Sequence, residues 1–189
     1  MTHRCSPSDS HRGPSAWIRT LSFLVLLVGL PLLASAQSRE YRVKAAFLFN
    51  FAKFVEGPAD THPEEEALRV GIWAPEAPFA VMAEALSDQE VAGRPLLVYR
   101  YSLETDPPHI LFVPENSEPI PSALLRKLAA AHVLVIGESP DFAARYGIIG
   151  LVPRDDQLRF QVNVGAAKRA GLVLSGQLAR LAEIVRDES

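Results

Sequence analysis

The residues able to do chemistry in this chain are few and scattered. Asp155 and Asp156 are adjacent carboxylates that can in principle divide the roles of acid and base. They lie inside Pro153–Gln157, between two alternating apolar runs, where aspartates serve turn geometry. His62, His109 and His132 follow no metal-ligand spacing, and no metal site is expected. His109 and His132 each open a short apolar run, the setting of a hydrogen-bonded strand-end histidine. Gly137-Glu138-Ser139 is only a fragment of the G-x-S-x-G turn that exposes a nucleophilic serine. G-x-x-x-x-G-K-[ST] and G-x-G-x-x-G are both absent, so neither glycine-rich phosphate cradle is present. These residues predict no catalytic set and no cofactor. Lys168-Arg169 remains, a positive pair suited to complement a helix C-terminus or to meet an anion or a partner.

The elements that must hold these groups alternate along the chain. Ser38–Glu56 reads as a helix ended by Gly57-Pro58. Val43, Ala46, Phe47, Asn50 and Phe54 share one face, and Leu48, Ala52 and Val55 fill much of the opposite side. A helix so broadly apolar is sandwiched in the core or covers a partner. Asn50 on that face then needs a buried hydrogen bond. Ala59–Ala67 is an acidic loop. Leu68–Ala74 alternates as a strand, Phe79, Met82, Ala83 and Leu86 make a helical stripe, and Leu96–Tyr101 is a second strand. His109–Val113 and Val133–Ile136 are short continuous apolar strands of the buried parallel type. Between them Pro121–Ala131 is a helix with Leu124, Leu125 and Leu128 inward. Ser139-Pro140 offers N-cap and first-turn chemistry to a short helix closed by Gly147.

Ile148–Val152 and Leu158–Val162 read as a hairpin. In the closing stretch Arg159–Leu181, Phe160 and Val162 lie on one face of a strand, and Arg159, Gln161 and Asn163 on the other. Asn163 is placed to cap a helix over Val164–Ala170, with Gly171 as the left-handed stop. Ser175 caps a second helix whose stripe is Leu178, Leu181, Ala182 and Val185. The pattern predicts an α/β fold: one three-layer domain, a mostly parallel sheet with helices on both faces, and an antiparallel hairpin near the C-terminal part. Ligands of such sheets bind outside the carboxyl ends of the strands. That makes Glu115, Asn116, Ser117, Glu138 and Ser139 the candidate ligand-binding residues, with Glu118 beside them.

The first 36 residues read as a secretory signal. Arg12 and Arg19 precede the apolar run Leu21–Leu33, and Ala34-Ser35-Ala36 supplies the cleavage pattern. The run is short of the ~20 apolar residues a membrane helix needs. Removing it leaves residues 37–189, one domain of 153 residues with net charge −5 and no cysteine. An acidic domain without a basic cluster is a poor nucleic-acid binder. An exported domain without disulfides relies on its core alone.

Two stretches carry a resemblance to a known family. Y-R-V-K-A-A-F-L-F-N-F-A-K-F-V-E-G-P resembles the opening helix of YfiR-family periplasmic proteins, and R-F-Q-V-N-V-G-A-A-K-R-A-G-L-V-L-S-G-Q-L-A-R-L-A resembles their closing block. L-R-V-G-I-W, V-A-G-R-P-L-L-V, H-I-L-F-V, H-V-L-V-I-G-E-S and G-I-I-G-L-V fall between them in the family's order. The resemblance implies a non-enzymatic periplasmic regulator that binds the periplasmic part of a membrane-anchored diguanylate cyclase and lowers cyclic-di-GMP output and biofilm formation. It places the partner-binding region on Phe160, Gln161, Asn163, Lys168 and Arg169. A homodimer stays open as a further assembly.

Three departures qualify what is carried over. Gln161 stands where members often have Glu, Gly57-Pro58 replaces a Trp-Pro, and the absence of cysteine after the leader removes redox gating by disulfides. The alternative expectation is a small-molecule sensor for a kinase or transporter, using the strand-end crevice.

Overall fold

A computed structural model describes residues 37–57, 66–115, 117–155 and 157–187. The expected leader, most of the acidic loop, His62, Asn116 and Asp156 lie outside the described residues. The chain divides into compact units Met1–Arg39 and Glu40–Ser189, and the architecture below is that of the second.

Helix α1 runs over residues 37–54 and passes into the two-residue strand β1, Val55–Glu56. Strand β2 (Leu68–Ile72) leads to α2 (Glu76–Leu86), then to the hairpin of β3 (Glu90–Val91) and β4 (Arg94–Arg100). Next come β5 (Ile110–Val113), α3 (Ser122–Ala130), β6 (Leu134–Gly137) and α4 (Phe142–Arg145). The hairpin β7 (Ile149–Arg154) and β8 (Gln157–Asn163) precedes α5 (Val164–Arg169), β9 (Val173–Leu174), α6 (Gly176–Leu181) and β10 (Glu183–Val185).

Eight strands form one sheet in the order β10-β8-β7-β6-β5-β2-β4-β3. The ladders are parallel except at β7–β8 and β3–β4. Strands β5 and β6 are buried along their whole length, as continuous apolar runs in parallel sheets require. Leu68, Val70 and Ile72 of β2 join the larger core, together with Leu48 and Phe51 of α1 and Met82 and Leu86 of α2. Leu111 and Val113 of β5 join the second core with Leu124 and Leu128 of α3 and Phe142 of α4. The three-layer, mostly parallel α/β expectation describes this molecule.

Three local expectations are corrected. In α1 the buried face is Tyr41, Lys44, Ala45, Leu48, Phe51 and Ala52, while Val43, Ala46 and Asn50 are exposed. Asn50 therefore meets solvent and needs no buried partner. Ser139 does not cap α4, which starts at Phe142 behind Asp141 in the left-handed region at φ 57°. The closing helix stops at Leu181, and Glu183–Val185 becomes a strand parallel to β8. Leu181 is then 70% exposed, so the stripe through Leu181 and Val185 does not form. Arg154 of β7 reaches Glu183 on β10, 3.5 Å away.

Candidate functional site

Asn163 and Ser175 cap as their sequence positions predict. Asn163 Oδ1 accepts the Ala166 N–H at 2.9 Å, and Ser175 Oγ accepts the Leu178 N–H at 3.1 Å. Asn163 does more. Its Nδ2 donates to the Ala143 carbonyl at 2.9 Å and to Asp187 Oδ1 at 2.8 Å. One buried amide thus joins α5, α4 and the segment after β10. Asp187 also takes both nitrogens of Arg169 at 2.8 Å. The Arg169 guanidinium, with the Asn163 amide assisting, holds the Asp187 carboxyl below its usual range.

These contacts split the predicted partner region between two faces of the sheet. Phe160 packs on α1, its ring 5.2 Å from that of Phe51 and 6.2 Å from that of Phe47. Asn163 and Arg169 converge on Asp187 instead, and Gln161, half-buried, pairs in register with Glu183 and Gly150. Lys168 is exposed.

The opening and closing stretches meet through more than these rings. Strand β1 pairs antiparallel with β9, Val55 opposite Leu174 and Glu56 opposite Val173. The Ser175 N–H donates to the Phe54 carbonyl at 3.0 Å. Val43 of α1 and Val173 of β9 are exposed apolar side chains, at 45% and 59%.

At the carboxyl ends of the strands, Glu115, Ser117 and Ser139 line one cleft of about 260 Å³ between β5 and β6, together with Glu118, Phe142 and Tyr146. Asn116 lies outside the described residues. Glu138 turns inward. Its Oε1 is 2.8 Å from Lys44 Nζ, with side chains only 6% and 8% exposed. Its Oε2 accepts the Glu115 N–H at 3.2 Å. Burial pushes the Glu138 carboxyl up, against the pull of Lys44. For Lys44, burial acts downward, but hydrogen bonds to Glu138 and Glu40 outweigh it and hold the ammonium above its usual range. Sequence reasoning missed this pair because Lys44 was one polar residue within a helix apolar on several sides.

The two described histidines, His109 and His132, bond to the backbone. Arg69 N–H donates to His109 Nδ1 at 2.9 Å, which leaves the proton of a neutral ring on Nε2. His132 Nδ1 is 2.8 Å from the Ala170 carbonyl, so this nitrogen carries the proton. Among the described residues no three His, Cys, Asp or Glu side chains are grouped to hold a metal ion. Among the same residues no helix is long and apolar enough to cross a membrane.

The fold is thus that of a small three-layer α/β domain whose opening and closing stretches pack against each other. The chain belongs to the YfiR/HmsC-like family, whose model matches residues 41–183. No curated protein matches the chain. The family match begins in α1 and ends on β10, so it takes in both the joined surface and the strand-end crevice.

Proposed function

We propose that the protein is a non-enzymatic periplasmic regulator that binds the periplasmic part of a membrane diguanylate cyclase and lowers cyclic-di-GMP signalling. Family membership supports the class of activity, and the signal-like first 36 residues support the compartment. The observation that carries the reading is the union of α1 with the closing block through Phe47, Phe51, Phe160 and the β1–β9 pair. The most family-like stretches pack against each other, and Val43 and Val173 on them are exposed apolar side chains of the kind a protein partner covers. Lys168 lies exposed in the closing block and offers it a positive charge.

The test is co-purification with the sensor part of a transmembrane diguanylate cyclase, alongside cyclic-di-GMP in a deletion strain. Deletion should raise cyclic-di-GMP, and Val43→Asp should abolish capture while leaving the thermal midpoint unchanged. Unchanged cyclic-di-GMP on deletion together with no capture refutes the function. Capture that survives Val43→Asp, Gln161→Ala and Lys168→Ala places the interface elsewhere.

A further inference from the structure

A second cleft, at the carboxyl ends of β2 and β4, plays no part in the surface just described. We propose that it binds a small organic cation, an amine or quaternary ammonium group carried on an apolar body. Its position follows from topology. Strand β2 has β4 on one side and β5 on the other, so the chain changes direction across the sheet there. This is where open α/β sheets leave their binding crevice.

The cleft encloses about 600 Å³, within the range of small-molecule sites. Trp73 forms one wall and is rigidly held. Its Nε1–H donates to the Glu118 carbonyl at 2.9 Å, and its own carbonyl accepts the Ser117 hydroxyl at 2.6 Å. The Tyr101 ring backs it at 6.0 Å. With the indole N–H occupied, the ring is what Trp73 offers a ligand, and an indole face attracts cations. Leu103, on the same cleft, is 59% exposed and gives an apolar contact.

The charges select the sign. Arg100 is the cleft's cation, and it is already paired with Glu76 at 2.9 Å. Glu104 and Glu118 line the cleft, are exposed, and form no ion pair among the described residues. Two carboxylates beside an aromatic wall favour cations and repel phosphate or carboxylate ligands.

The test is calorimetric titration of the purified protein with choline, putrescine and tyramine at low salt. The comparison ligand is 3,3-dimethylbutanol, the uncharged isostere of choline. At least one cation should bind, and choline should exceed its isostere by about tenfold where the indole face is engaged. Glu104→Gln with Glu118→Gln should weaken cation binding by about three- to tenfold, as two exposed charge contacts allow. Both side chains are exposed, so this variant reports on binding rather than on folding. Lys127→Ala, an exposed change on α3 away from the cleft, should leave the affinity unchanged. Failure of all three cations, equal affinity for the isostere, or an unaltered affinity in the double glutamine variant overturns the proposal. Loss of cyclase capture in the preceding experiment leaves it untouched.

Discussion

Replacing Lys44 by Met tests whether the buried ion pair is what fixes α1 to the sheet. The Lys44 and Glu138 side chains are 8% and 6% exposed and 2.8 Å apart. Met matches the lysine stem and keeps its packing, but it leaves the Glu138 carboxylate buried with only the Glu115 N–H. Stranding one charge of a buried pair costs about 3–5 kcal/mol. For a domain of this size that lowers Tm by roughly 6–20 °C, at about 2–4 °C per kcal/mol. Glu138→Gln should cost less, because Lys44 keeps Glu40 as a partner and the amide oxygen still accepts a hydrogen bond. Combining the two should recover part of the Lys44→Met loss, because the stranded charge is gone. Thermal unfolding of the parent, both single variants and the double variant supplies the cycle. A Lys44→Met midpoint within about 2 °C of the parent, or a double variant no better than Lys44→Met, refutes the reasoning.

Four further outcomes follow from the same structure. Burial raises the Glu138 carboxyl, so the folded state keeps this proton where the unfolded chain has released it. The group's contribution to stability therefore falls as pH rises through the interval above the ordinary carboxyl value, and urea midpoints should lose that component in Glu138→Gln. Lys44 is raised, so its contribution holds below about 10.5, the ordinary lysine value, and is lost as pH climbs through its higher folded value. Asn163→Asp should destabilise by about 2–4 kcal/mol, since it keeps the cap but strands the Ala143 carbonyl and faces Asp187 with a second carboxylate, measurable by urea unfolding. Tyr101→Phe should leave stability unchanged or raise it by up to about 1 kcal/mol in the same assay, because the buried hydroxyl has no hydrogen-bond partner among the described residues.

The layers of the fold were legible because β5 and β6 are short continuous apolar runs and their connecting helix has a clean Leu124–Leu128 stripe. Asn163 and Ser175 were legible as caps because capping is local chemistry, decided within three residues. The buried face of α1 was not. Apolar residues surround that helix, so periodicity offered two stripes, and the tertiary contact between Lys44 and Glu138 chose the one holding Tyr41 and Leu48. Strand β10 was misread for a related reason. Leu178, Leu181, Ala182 and Val185 keep helical spacing, yet residues 183–185 gain a parallel ladder on β8 that no local signal announces. Among the candidate site residues, Glu115, Ser117 and Ser139 do share a cleft. Glu138 does not join it, because its lysine partner comes from the far end of the sequence.

The two margins of the eight-stranded sheet are its shortest strands, β10 with three residues and β3 with two. An open margin is a template for pairing with another chain, and brevity and charge are the usual protections. Here β10 covers Gln161–Asn163 of β8, and Arg154 and the Asp187–Arg169 clasp secure it on either side. A chain cut before Glu183 would lay bare the outer edge of β8 at Gln161–Asn163. The expected consequence is self-association during expression and storage, so the last few residues govern how the protein behaves in the tube as much as how it folds.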